Sequence, residues 1–287
     1  MLIDLHLHST ASDGTLAPAE VVRRAQQAGV QVMALTDHDT LGGAGEAAPE
    51  AARRGIIYLL AVELNTDAGG SEIDILGYFL QQPPAWFHDF LAARQAARIQ
   101  RAQAIVARLD ELGLPIRYER VRELALGIVA RPHIAQTMIE QGYATSQRDA
   151  YERYIGFGAP AYVERDRLHP RTAVKYISSA GGLPVVAHPG LVGDDSGIID
   201  LVQSGAGLEV YYALHTPQQT ATWVKIARQH GALVTAGSDA HGPGRAKSKD
   251  IGVAVDARLW PALQQGLEQA AQRRASQPPA VHNELPS

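Results

Sequence analysis

Apolar residues in the first 80 positions come in short runs separated by amphipathic stretches. Leu2 to Leu7, Val32 to Thr36, Ile56 to Val62 and Glu72 to Leu80 read as strands; Pro18 to Gly29 and Gly43 to Arg54 read as helices between them. Pro18 suits the first turn of a helix, and Gly29 and Gly55 suit its end. The alternation resumes late in the chain. Pro170 to Ala180, Ile198 to Ser204 and Pro217 to His230 are helical, while Leu183 to Ala187, Gly207 to Tyr211 and Ala232 to Ala236 are extended. Repeated βα units predict an α/β fold with a parallel sheet or barrel. Pro83-Pro84 opens a different stretch with long helical periodicity, marked by Phe90, Ile99, Ile105, Val106, Leu109 and Leu112. The expected organisation is therefore a barrel from 1–81 and 163–275, a helical insertion over 82–162, and a flexible tail over 276–287.

Composition narrows the function classes. A chain of 287 residues can bury a full core as one domain with an insertion, and no apolar stretch approaches the roughly 20 residues of a membrane span. The N-terminus lacks the basic start and apolar run of a signal peptide, so a cytoplasmic location is expected. With no cysteine, thiolate metal sites, disulfides and a cysteine nucleophile are excluded, and any metal must be held by imidazole and oxygen. A net charge of −4 gives no global field for duplex nucleic acid, and no obligate protein partner is indicated. Locally, Trp86 to Arg131 carries eight Arg against five acids. That excess fits a solvated helix face or a cationic lid over an anionic substrate.

The segment Asp4-Leu5-His6-Leu7-His8 places His6 and His8 at alternate strand positions, hence on one face; Asp4, which precedes the pair, is expected on the opposite face, against the simple two-residue period. Asp13 follows in a turn, His38 closes the second strand between Asp37 and Asp39, and Glu63 closes the third. Asp74 lies in the strand after it; His188 ends a later strand, Glu209 lies in another, and Asp239 and His241 end the last. Carboxyl ends of α/β strands are where such folds place functional groups. Nearly every expected strand here finishes on a histidine or carboxylate. Asp37 reads as a group that orients a ligand and Asp39 as a cap for the next segment, while His88, His169, His230 and His282 have no such setting.

The strings DLHLHSTASDGT, ALTDHDT, VVAHPG and GSDAHG resemble the polymerase and histidinol phosphatase (PHP) family. Together with EIDILGYF, RPHIAQ and LEVYYALHTPQQ they resemble its stand-alone branch of metal-dependent phosphoesterases, which includes 3',5'-nucleoside bisphosphate phosphatases and a 5'-3' oligoribonuclease activity. The likeness spans roughly residues 1–260. It implies a distorted seven-stranded (β/α) barrel of PHP type with a cluster of two or three divalent ions, Mn2+ foremost and Zn2+, Fe2+ or Mg2+ as alternatives. By this resemblance His6, His8, Glu63 and Asp239 hold a first ion; a second shares Glu63 and adds His188 and Asp74; a third takes Asp13, His38 and His241. Asp74 departs from relatives that carry His there, which leaves the second ion open.

Arg131 and His133, in RPHIAQ, match an element that faces the substrate phosphate. His215 is placed either against phosphate, as a proton donor to the leaving oxygen, or in a packing or helix-cap role. The activity implied is hydrolysis of a small nucleotide phosphate ester, a 3',5'-bisphosphate or short oligoribonucleotide, by metal-bridged hydroxide. Alternatives are a histidinol phosphatase, a cyclic-phosphate hydrolase, and a non-catalytic metal-binding module.

Overall fold

The computed structural model describes residues 1–69, 71–125, 127, 129–164, 167–193, 195–244 and 250–276. The expected tail falls almost wholly outside them.

The strands are β1 (Leu2–Leu7), β2 (Val32–Leu35), β3 (Ile57–Leu64), β4 (Asp67–Ala68), β5 (Ser71–Glu72), β6 (Ile75–Phe79), β7 (Leu183–Val186), β8 (Gly207–Tyr212), β9 (Val234–Gly237) and β10 (Val253–Ala254). The helices are α1 (Pro18–Ala28), α2 (Ala44–Arg53), α3 (Ala85–Glu111), α4 (Tyr118–Leu124), α5 (Arg131–Glu140), α6 (Gln147–Ala150), α7 (Pro170–Ser179), α8 (Asp195–Gln203), α9 (Pro217–His230) and α10 (Leu259–Ser276). β4 and β5 pair only with each other. The remaining strands form one sheet in the order β10-β1-β2-β3-β6-β7-β8-β9. It curls until its ends meet: Asp239 donates its N–H to the His6 carbonyl at 2.8 Å, and His8 donates to Ala240 at 3.0 Å. The seven strands from β1 to β9 in this order are the expected barrel wall. β10 is a two-residue addition, antiparallel to the start of β1.

β2 and β7 are buried at every position, which is why they read as continuous apolar runs rather than alternating ones. Inside the barrel Ile3, Leu5, Ala61, Leu76 and Val185 pack together, and Leu263 and Leu267 of α10 join the same cluster. A register shift on β1 between Asp4 and Leu7 reverses the facing, so that Leu7 packs outside with Val21 and Met33. Asp4 is accordingly turned from the histidines: it accepts from Ser238 Oγ at 2.6 Å and the Gly252 N–H at 2.7 Å, and burial pushes its carboxyl up to about 6.

One of the seven wall strands breaks the parallel pattern. β6 runs antiparallel to both β3 and β7, because the β4–β5 hairpin joins it to β3 with no crossover helix. This reversal puts Asp74, just before β6, on the rim where β3 and β7 end.

α3 spans 27 residues, about 40 Å. Its first half buries Phe87, Phe90 and Leu91 against the barrel. Its second half gives Ala102, Ile105 and Leu109 to a separate core with Val121, Ile134, Met138 and Ile155. Among the described residues, no helix is long and apolar enough to cross a membrane.

Candidate metal centre

The rim carries three non-glycine residues with left-handed backbone, Asp39 (φ 51°), His188 (φ 29°) and Asp239 (φ 55°). Such conformations cost on the order of 1–3 kcal/mol each and persist only where neighbours enforce them. Each of these has its enforcer. The His188 N–H donates to Glu209 Oε2 at 2.8 Å, the Asp239 N–H to His6, and the Asp39 N–H to the Glu63 carbonyl at 2.9 Å.

Turns close to the site are equally tight. Asp37 accepts from the Ser9 N–H (2.8 Å), Ser9 Oγ (2.7 Å) and Ser12 Oγ (2.6 Å), which fixes the turn that presents Asp13. A Cβ on Gly237 would lie 2.3 Å from the His6 Cβ and 2.6 Å from Glu209 Oε1, so only glycine lets β9 approach β1 and β8 there.

All nine expected ligands, His6, His8, Asp13, His38, Glu63, Asp74, His188, Asp239 and His241, converge. Glu63 Oε2 lies 3.3 Å from His6 Nε2, 3.2 Å from His8 Nε2 and 3.1 Å from His38 Nδ1; its Oε1 is 3.5 Å from His188 Nε2. Asp239 Oδ1 lies 3.5 Å from His6 Nε2, 3.2 Å from His8 Nε2 and 3.4 Å from His241 Nδ1. Asp13 is 3.3 Å from His241, 3.8 Å from His8 and 3.9 Å from His38. Four overlapping groups could each hold an ion: His8, Asp13, His38 and His241; His6, His8 and Glu63; His6, His188 and Asp239; and Glu63, Asp74 and His188.

The donor set fits divalent ions on two counts. Ligand atoms about 2.0–2.2 Å from a common ion stand roughly 3–3.6 Å apart, as most of these do. In addition, His6 Nε2, both His8 nitrogens, His38 Nδ1, Glu63 Oε2 and His188 Nδ1 are buried without a hydrogen-bond partner among the described residues. Buried polar atoms so clustered and so unsatisfied are costly unless something else pairs with them.

Charge coupling is strong here. Burial pushes the His8 imidazole down, but Asp239 and Glu63 beside it override that and carry it up to about 10. Burial would raise Glu63 and Asp13; the imidazoles around them hold both carboxyls well below the usual range. Asp74 differs, being raised by burial and by the Glu63 charge. Asn65 Nδ2 donates to its Oδ1 at 3.0 Å and orients it.

Glu209, whose part was open from sequence, has a definite place. Both its oxygens meet His6 Nδ1, at 3.0 and 3.1 Å, which aims Nε2 into the cluster. A lone glutamate between Leu208 and Val210 in an apolar strand was the available signal, and the structure buries it completely. Tyr212, which sequence reading passed over, donates its hydroxyl to Asp239 Oδ2 at 3.0 Å.

A cavity of about 270 Å³ meets the edge of the cluster at Asp13 and His38, with Asn65 also on the barrel side and Arg94, Arg98, Arg101, Arg131 and Tyr151 on the insertion side. Asp39 is not a helix cap. It is a buried carboxylate gripped by Arg94 Nε (2.8 Å) and Arg98 Nε (2.7 Å), which override the upward push of burial and keep it ionised.

Of the three residues expected to meet substrate, Arg131 lines the cavity, its guanidinium 5.2 Å over the Tyr151 ring. His133 is buried and accepts the Ala130 N–H at 3.1 Å, capping α5. His215 uses both ring nitrogens on backbone: Nε2 accepts from the Gly190 N–H at 2.9 Å, and Nδ1–H donates to Val210 O at 3.0 Å. Burial depresses its basicity. These contacts brace the turn after His188.

Residues 4–162 match the PHP domain family. The chain is 35% identical over 84% of its length to a 5'-3' exoribonuclease of Haemophilus influenzae, of which 90% is covered. It is 32% identical over 88% of its length to a 3',5'-nucleoside bisphosphate phosphatase of Chromobacterium violaceum, covering 92% of that protein. Among solved structures, a proposed metal-dependent phosphoesterase from Bifidobacterium adolescentis superposes with a TM-score of 0.79 at 26% identity, over 91% of this chain and 95% of that one. An amidohydrolase from Chromobacterium violaceum, solved with bound sulfate and no metal, gives 0.77 at 30% identity, over 93% and 96%. With its rim of imidazoles and carboxylates and these relatives, the chain belongs to the PHP domain family and is a metal-dependent phosphoesterase.

Proposed function

We propose that this protein hydrolyses the phosphate esters of small nucleotides, a nucleoside 3',5'-bisphosphate or the end of a short oligoribonucleotide. The carrying observation is the cavity itself, which sets Asp13 and His38, at the edge of the candidate metal cluster, against Arg131 and three further arginines. Its volume of about 270 Å³ suits a phosphate with part of a nucleoside. The names of the Haemophilus and Chromobacterium relatives point to the same substrates.

In this reading His6, His8, Glu63 and Asp239 hold one divalent ion, Asp13, His38 and His241 another, and Glu63, His188 and Asp74 a third of more oxygen-rich character. Such mixed imidazole and carboxylate shells suit Mn2+, Fe2+ or Zn2+, of which Mn2+ is the ion proposed. When bound, the ions supply a nucleophile at neutral pH and neutralise charge on the phosphoryl oxygens. The chain's own groups do the rest. Glu209 fixes the His6 tautomer, Tyr212 restrains the second oxygen of Asp239, and Asn65 restrains Asp74. Arg131 offers its planar fork to a phosphoryl oxygen across the cavity. The insertion closes the mouth over the rest of the substrate.

The test is phosphate release with Mn2+ from adenosine 3',5'-bisphosphate, 5'-AMP, histidinol phosphate, a cyclic phosphate and a short RNA. Preference for the bisphosphate or RNA supports the proposal. Preference for the cyclic ester, which the name of a 31% identical relative from Eggerthella lenta makes a fair competitor, would replace it.

A further inference from the structure

Arg94, Arg98, Arg101 and Arg108 are spaced four, three and seven apart along α3 and share one face. The first pair is bound to Asp39; the second points elsewhere. Arg101 lines the cavity, donates its Nε–H to Val163 O at 2.9 Å, and sits 5.7 Å over the Tyr162 ring. Arg108 donates to the Tyr162 carbonyl. The Tyr162 ring in turn meets Phe157 edge-on at 5.5 Å.

Phe157 is 85% exposed. A phenylalanine left in water forgoes the stabilisation that burial would bring. Its position is nonetheless defined: Gly158 is left-handed (φ 75°), and a Cβ on Gly156 would lie 2.5 Å from the Tyr151 carbonyl oxygen. The tight turn holds an aromatic face out to solvent at the end of a strip that begins in the cavity. From Arg94 to Arg108 that strip follows α3 for about 21 Å.

Two guanidinium groups beside two adjoining aromatic rings, continuous with the cavity, match the chemistry of single-stranded nucleic acid, whose bases stack and whose phosphates need positive charge. Resting on the nucleotide reading above, we infer that Arg101, Tyr162 and Phe157 form a track for the nucleotides of an RNA strand beyond the one whose phosphate reacts. A base stacks on Phe157, and the backbone follows Arg101 and Arg108. A mononucleotide bisphosphate never reaches Phe157.

The experiment compares kcat/KM for a 5'-phosphorylated hexaribonucleotide and for adenosine 3',5'-bisphosphate in the Mn2+-loaded protein, Phe157→Ala and Phe157→Trp. Phe157→Ala should lose roughly 10-fold on the hexamer, mainly through KM, with the bisphosphate changed less than about 2-fold and Phe157→Trp restoring the hexamer. An equal loss on both substrates, or none on either, overturns the track. So does a change of oligomeric state in Phe157→Ala without loss on the hexamer, which would make Phe157 a contact between copies. A wild-type protein that cleaves bisphosphate but not hexamer sinks the track and leaves the nucleotide reading standing; one that cleaves neither sinks both.

Discussion

On the barrel side of the cavity several groups of the cluster are held by others: His6 by Glu209, Asp239 by Tyr212, His188 by the Glu209 oxygen on its N–H, and the Asp13 turn by Asp37. On the insertion side Arg131 rests on the Tyr151 ring, and Arg94 and Arg98 reach across to Asp39. Strand ends locked in a closed sheet fix groups to fractions of an ångström, as a multi-ligand cluster requires. Helices with their own small core can vary while the cluster stays constant. In the function proposed above, chemistry falls to the barrel and choice of substrate to the insertion.

That division can be broken most directly at Asp239. Asp239→Asn should lower phosphate release about 10³-fold while leaving the circular dichroism spectrum unchanged. Collapse of the fold instead would mean that the cluster serves structure rather than catalysis. Arg131→Ala should cost about 10²-fold in kcat/KM with metal content unaltered. Unchanged kinetics would remove the insertion from phosphate binding.

Glu209→Gln keeps the shape of the side chain but weakens the acceptor for His6, and should reduce metal affinity 10- to 100-fold by titration calorimetry. Retained affinity would reduce Glu209 to a packing group. The smallest effect is on pH dependence. His8 stands at about 10 in the metal-free fold against 6.5 ordinarily, so its contribution to stability is complete below pH 6.5 and is lost as pH rises through about 10. The unfolding temperature of metal-free protein should fall across that interval. The loaded protein, whose His8 is neutral, should lack that slope.

The barrel was legible because its signal is periodic and local. Leu2–Leu7, Pro18–Ala28 and Pro217–His230 lie where apolar spacing, proline and glycine put them, and the ligands sit at strand ends. Relations between distant segments were harder to read. Nothing local to Glu209 names His6, more than 200 residues away, and nothing in His215 foretells that Gly190 and Val210 occupy both ring nitrogens. The arginines of α3 read as surface charge or a lid because Asp39, their partner, reads as a cap. The reversed β6 was hidden for another reason: an antiparallel return and a parallel crossover leave the same apolar run at Ile75–Phe79, and only the missing helix before it distinguishes them.

The join between β1 and β9 also bears on how the protein is made. His6, His8, Asp13, His38, Glu63 and Asp74 leave the ribosome early, the insertion follows, and Asp239 and His241 arrive only with the last strand of the ring. A nascent chain that has reached β8 carries most of the ligands with no closed sheet to align them. The candidate ligands are thus divided by the join: seven of the nine precede β9, and Asp239 and His241 come only with the strand that closes the ring.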